Sequence, residues 1–354
     1  MRVVSALLLL LLFYPWFLWD KLLLVNISIV LIVLLFLLHT RRYAFSFNLL
    51  GLFSIFLLSI LDKNIVGILF SVLTFVVLFV EHKLLIQSLD TFSKILSYCF
   101  FFGLIVYFLG LFDIVFYESI LNPLNNLKEF YVNRYFLVFE NGSLDGLRFY
   151  SLFDEPGVVG MLAFNNILVL SKKRRNFFYL FINILSGVVS FSFYFYIMFG
   201  IYVLIYFKSI SLKIFLIISF LIIMYLFNDF YIFNRIIFLN SDLNQRSSIE
   251  VLEYFNYFLK YGNLLFGNGS SYTSSMGFDG DSSIILFIIN YGFIFILPML
   301  YSLIYIAYAN MNNILNTLFV FSLIAILYHR PGTFLYSGYL ILFVQTFYYL
   351  RSNE

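Results

Sequence analysis

At residues 148–160 the sequence reads Arg-Phe-Tyr-Ser-Leu-Phe-Asp-Glu-Pro-Gly-Val-Val-Gly, an arginine and two adjacent carboxylates set against the start of an apolar run. Pro156 suits the first turn of a helix. Asp154 or Glu155 suits its cap, where negative charge meets the positive end of the helix dipole. Capping is the plain role, and it accounts for Asp154. Glu155 has a second role open to it, because a carboxylate desolvated beside apolar helix is placed for general-base work. Arg148, close by in sequence, carries the charge that would stabilise an anionic leaving group.

A second group of polar residues follows about a hundred positions on. Ser247-Ser248-Ile249-Glu250 has the form of a capping box, with Ser247 as N-cap and Glu250 at the third helical position, opening a helix that runs to about Tyr261. Ile249, Leu252, Phe255, Phe258 and Leu259 recur at helical spacing and give it one apolar side suited to a membrane interface. Arg246 stands just ahead of that helix. A guanidinium beside free N–H groups at a helix start suits a phosphate or pyrophosphate, and pairing with Asp242 or a lipid headgroup is the equal alternative. Gly262, Gly267, Gly269, Gly277 and Gly280 then mark a stretch read as a lid, ending in Asp279-Gly280-Asp281-Ser282. Gly267-Asn268-Gly269 lacks the strand and downstream acid of a dinucleotide fingerprint and reads as a turn. His39, His82 and His329 are scattered without metal-ligand spacing, and the single cysteine, Cys99, excludes an internal disulfide.

The elements that must position these residues follow from composition. Of the 354 residues, 63% are apolar and 11% charged, and the mean hydropathy is +0.98. No water-facing surface can be built from such a chain, so the reading is a membrane protein. Solid apolar runs of ~17–25 residues, each able to cross ~30 Å of hydrocarbon, favour helices over barrel strands. Twelve spans are expected, near 3–19, 22–38, 44–61, 64–80, 95–117, 151–170, 176–189, 191–207, 212–227, 283–307, 314–328 and 332–350. The first lacks a small-residue cleavage site and is read as a retained helix. The run 176–207 is divided at Gly187-Val188-Val189-Ser190. The expected fold is thus all-α, one polytopic membrane domain over 1–354 with two long extracytoplasmic loops, 118–150 and 228–282.

Orientation comes from Lys and Arg. With the N-terminus inside, Arg41, Arg42, Lys83, Lys94 and the cluster Lys172-Lys173-Arg174-Arg175 fall in inside loops, while outside short loops hold Lys21, Lys63 and Arg330. Both termini are then cytoplasmic. The formal charge of +3 is topological anchoring and implies no nucleic-acid partner. The spans hold almost no ionisable group, Asp113 being the main exception, so the chain is expected to work at its outer face.

In this order of features the chain resembles the Wzy-type O-antigen polymerases of the polymerase–ligase superfamily. Arg148 with Ser151-Leu152-Phe153-Asp154-Glu155-Pro156-Gly157 looks like that family's outer-loop arginine and helix entry. Arg246 through Asn256, then Leu264-Leu265-Phe266-Gly267-Asn268-Gly269, looks like its second-loop arginine and glycine turn. Asp281-Ser282-Ser283 with Asn290-Tyr291-Gly292 looks like the following entry and mid-helix glycine. Two departures are visible. Residues 228–282 lack the histidine that related O-antigen ligases carry there, and Val159 stands where the family's arginine-to-glycine spacing puts glycine, which is instead Gly160.

The resemblance implies a bundle like that of GT-C glycosyltransferases in the bacterial inner membrane. It implies transfer of a growing glycan from undecaprenyl pyrophosphate to a lipid-linked repeat unit at the periplasmic face. Arg148 and Arg246 would hold the departing pyrophosphate, and Glu155, or Asp279 or Asp281, would take the acceptor's proton. Arg235 or Arg330 would hold the second lipid phosphate, with Tyr272 as a further substrate contact. The scheme calls for no metal or other cofactor. Its partners are the undecaprenyl-pyrophosphate-linked oligosaccharide, membrane lipid and a chain-length regulator. The alternatives are a lipid-linked oligosaccharide flippase and an O-antigen ligase.

Overall fold

The computed structural model describes residues 2–13, 15, 27, 31, 82–110, 118–122, 125–133, 138–140, 149–153, 155–172, 177–211, 213–214, 218, 249–269, 272–278, 284–309, 313–330 and 337–352. The expected spans 44–61 and 64–80 and most of 22–38 and 212–227 fall outside them. The chain forms two compact units: Met1–Arg42, Phe79–Lys208 and Leu342–Glu354 make the first, Tyr43–Leu78 and Ser209–Ile341 the second.

The first unit contains α1 (Arg2–Leu11), α2 (His82–Gly110), α3 (Pro156–Lys172), α4 (Phe177–Val189) and α5 (Phe193–Tyr206). Among the described residues one helical segment, Lys83–Leu109, is long and apolar enough to cross a membrane; Arg2–Leu11, Pro156–Lys172, Phe177–Val189 and Phe193–Tyr206 are shorter apolar helices. The expected span 95–117 began too late. Lys83, Asp90 and Lys94 belong to α2, not to a loop, and Lys94 Nζ meets Asp90 Oδ2 at 3.0 Å one turn away. A charge pair at that spacing supports a helix instead of ending it.

α3 lies at the centre of this unit, against α2, α4 and α5. Nearly every side chain from Val159 to Leu170 is buried, as expected of a helix apolar all round. Its two asparagines carry the exception. The amide of Asn166 donates to Ser93 O at 3.0 Å and to Asn183 Oδ1 at 3.0 Å, and the amide of Asn183 donates to Ser97 Oγ at 2.8 Å, so three helices share one buried polar knot. Asn165 Nδ2 donates to Thr346 Oγ1 at 3.1 Å. In an apolar bundle, such side-chain bonds give buried polar groups partners and so fix which helices meet.

The division of 176–207 is found where it was expected. α4 ends at Val189 and α5 begins at Phe193. Ser190 Oγ turns back to Gly187 O at 2.7 Å, and Phe191 takes a left-handed φ of 51°.

The helical fold carries one small addition. In the first long loop, β1 (Glu118–Asn122), β2 (Asn125–Asn133) and β3 (Val138–Glu140) form an antiparallel sheet in the order β1-β2-β3. Glu118 pairs with Val132 and Tyr131 with Glu140. The aromatic and β-branched run Phe130-Tyr131-Val132 gives the middle strand its preference, which a reading keyed to hydrocarbon-length runs passes over.

The second unit contains α6 (Ile249–Tyr261), α7 (Tyr272–Ser275), α8 (Ile284–Tyr291), α9 (Phe293–Ala309) and α10 (Ile314–His329), and α11 (Ser337–Arg351) begins in it. α10 matches its expected span and is capped by Asn313, whose side chain accepts from the N–H groups of Leu315 at 3.0 Å and Asn316 at 3.3 Å. α6 spans the expected stretch, while Ser247 and Ser248 lie outside the described residues. Of its expected apolar side, Phe258 packs with Val251 into a core with Leu286, Ile289 and Phe295, Phe255 packs against that core, and Leu259 is exposed. The expected span 283–307 is broken in two at Gly292.

Candidate functional site

Two places in the described residues depart from plain helix packing, one in each unit. In the first unit, the expected span 151–170 starts later than its apolar run. Residues 149–153 are buried but not helical, and α3 opens only at Pro156, as its proline signals. Phe149 N–H donates to Val189 O at 3.0 Å, tying this segment to the end of α4. Ser151 then turns with φ 53°, a left-handed value rare for a residue bearing a Cβ. Such strain persists only where the surroundings over-determine it. They do here: the side chains of Phe149, Tyr150, Leu152 and Phe153 are all buried, and Gly103 of α2 leaves room for the Phe149 ring, which a Cβ there would meet at 2.9 Å.

Glu155 follows as the residue before the helix. Its carbonyl accepts from Val158 N–H at 3.0 Å. Its side chain is partly buried, with Oε2 shielded from solvent. It thus stands at the cap position with one carboxylate oxygen out of solvent. Arg148 and Asp154 lie outside the described residues.

In the second unit the broken helix and the glycine turn interlock. The N–H groups of Asn268 and Gly269 donate to Ile289 O and Asn290 O, each at 2.9 Å, which serves the last carbonyls of α8. In return Leu264 O and Leu265 O accept from Phe293 N–H at 2.8 Å and Ile294 N–H at 3.1 Å, the first donors of α9. Four of the groups orphaned by the break are thus met by loop backbone. The approach requires glycine on both sides. Gly267 has φ 69°, and a Cβ on it would fall 2.3 Å from Asn290 O; Gly292 has φ 71°, and its Cβ would fall 2.2 Å from Leu265 O. Asn290 adds a side-chain clasp, its Nδ2 donating to Thr273 Oγ1 at 2.9 Å and its Oδ1 accepting from Thr273 N–H at 3.1 Å. The described part of the glycine-rich stretch is therefore bonded down, against its reading as a lid.

Tyr272, expected to contact substrate, sits at the start of α7 beside α6. Tyr254 donates its phenol hydrogen to Tyr272 Oη at 2.7 Å and accepts from Asn268 Nδ2 at 3.2 Å. Burial, and after it the bond to Tyr272, push the Tyr254 phenol up to about 12. It stays protonated at any physiological pH. Arg330, the other described basic candidate, closes α10, its N–H donating to Ile326 O at 2.7 Å. Arg235, Arg246, Asp279 and Asp281 lie outside the described residues.

In the sequence, Gly292 and the turn Gly267-Asn268-Gly269 stand as separate features. The signal linking them is that two chain segments need positive φ within a few residues of asparagine. No protein family, no curated protein and no solved structure matches the chain.

Proposed function

We propose that the chain is a multi-pass glycosyltransferase of the bacterial inner membrane, with both termini cytoplasmic, that polymerises a surface polysaccharide such as O-antigen at the periplasmic face. The observation that carries this reading is Glu155: a partly buried carboxylate, one oxygen out of solvent, fixed at a helix entry by a strained and fully packed segment. The apolar composition and the membrane-length helix Lys83–Leu109 support a membrane setting for it.

The reaction is a single displacement. An acceptor sugar hydroxyl on one lipid-linked repeat unit attacks the anomeric carbon of the donor glycan. Glu155 takes the hydroxyl proton, with Asp279 or Asp281 as alternative bases, and a new glycosidic C–O bond forms. The bond from the anomeric carbon to undecaprenyl pyrophosphate breaks, and its electron pair leaves on the pyrophosphate. Arg148 and Arg246 hold and neutralise that leaving group, while Arg235 or Arg330 holds the phosphate of the second lipid. The anomeric carbon is inverted.

The test is a Glu155→Gln strain. Its lipid A–core should carry a single repeat unit with no ladder on a gel, at wild-type protein abundance. A full ladder would remove Glu155 from the chemistry. Loss of the ladder with repeat units held on the cytoplasmic face would replace polymerisation by flipping.

A further inference from the structure

The phenol relay in the second unit has a direction. Asn268 donates to Tyr254, and Tyr254 donates to Tyr272. The oxygen of Tyr272 is therefore used as an acceptor, and its own hydrogen is left to donate away from Tyr254. Each donor in such a chain polarises the next, so the last O–H is the strongest donor of the series. Around it the residues are aromatic. The Tyr254 ring lies 5.9 Å from that of Tyr272 and 6.0 Å from that of Phe278. On the following turn of α6 Tyr257 and Tyr261 stand 5.0 Å apart, 57% and 74% exposed. A terminal hydroxyl donor, an amide carbonyl on Asn268 and exposed ring faces are the chemistry that recognises a sugar: hydroxyls at the edge, apolar C–H face on the rings.

We propose that this edge reads the glycan itself: the Tyr272 hydroxyl donates to a ring hydroxyl of the repeat unit, and Tyr257 and Tyr261 stack on the sugar's apolar face. The inference rests on the polymerase reading and deepens it, separating sugar recognition on α6 and α7 from the charge chemistry assigned to the arginines and Glu155. Tyr254 and Asn268 are positioning residues, since they act through Tyr272.

The two kinds of contact fail differently, and that difference is the test. The full-length protein in lipid nanodiscs is given the lipid-linked repeat unit extracted from a strain deleted for this chain, and KM and kcat are measured separately. Tyr272→Phe removes the donor and keeps the ring, and KM should rise about fivefold with kcat little changed. Tyr254→Phe and Asn268→Ala, the latter a truncation of an exposed side chain, should raise KM about two- to threefold. Tyr261→Phe keeps its stacking face and should leave KM unchanged, whereas Tyr261→Ala should raise it. Equal KM values for Tyr272→Phe and wild type would overturn the proposal, as would Tyr261→Phe and Tyr261→Ala behaving alike. A deletion strain that still makes its polymer ladder would instead overturn the polymerase reading beneath it.

Discussion

The two units solve the same problem in opposite ways. Both place polar groups among apolar helices, where each unpaired one costs free energy. In the first unit the helices stay whole and side chains supply the partners, as Asn166, Asn183, Ser93 and Ser97 do. In the second the helix itself is interrupted, and loop backbone supplies the partners. Side-chain pairing tolerates substitution better, because losing Asn166 or Asn183 removes three bonds made by its side chain but none between main-chain groups, and lets neighbours adjust. Backbone pairing does not, since four main-chain bonds and two left-handed glycines share one crossing.

The largest effect should therefore come from Gly292→Val. It places a branched side chain at φ 71° and 2.2 Å from Leu265 O, and a cost of about 3 kcal/mol or more is expected. Thermal unfolding in nanodiscs measures it, with loss of folded protein in detergent as the extreme result. Asn183→Leu in the first unit should cost only about 1 kcal/mol, and the Asn166→Leu, Asn183→Leu double variant should cost less than the two singles summed. If Asn183→Leu proves as costly as Gly292→Val, the contrast between the units fails.

The smallest effect concerns pH. Tyr254 has its phenol raised from 10.0 to about 12, so its neutral form is favoured in the folded state. Between those values the unfolded chain has lost this proton while the folded one keeps it, and stability falls as pH rises. The stability difference between wild type and Tyr254→Phe should be flat below pH 10 and decline from 10 to 12. A flat difference throughout would show that the relay adds no such linkage.

Pro156 marked the start of α3, and Gly187 to Ser190 marked the turn between α4 and α5, because proline and a packed glycine act locally. The charged start of α2 was hidden, since Asp90 and Lys94 read as a loop until the helix pairs them. The break at Gly292 was hidden for a different reason. No local rule interrupts Ile-Ile-Asn-Tyr-Gly-Phe-Ile; the interruption is imposed by Leu264 to Gly269, distant in sequence, which supply the bonds. The small sheet was missed because its strands are short beside the hydrocarbon-length runs that dominate the chain. Of the site, Glu155 was legible as a cap-position acid, while the strain at Ser151 and the Tyr254–Tyr272 bond depend on tertiary packing.

The interlock at Gly267 and Gly292 also sets an order of events during synthesis. The segment carrying Leu264 and Leu265 is synthesised before Phe293 and Ile294, by roughly one to six seconds at ordinary elongation rates. Through that interval its carbonyls have no helix start to bind, and α8 has been made without the residues that follow its break. The crossing is consequently completed only once the first turn of α9 has emerged, so a ribosome stalled just short of Phe293 would hold a chain with α6 made and the crossing still open.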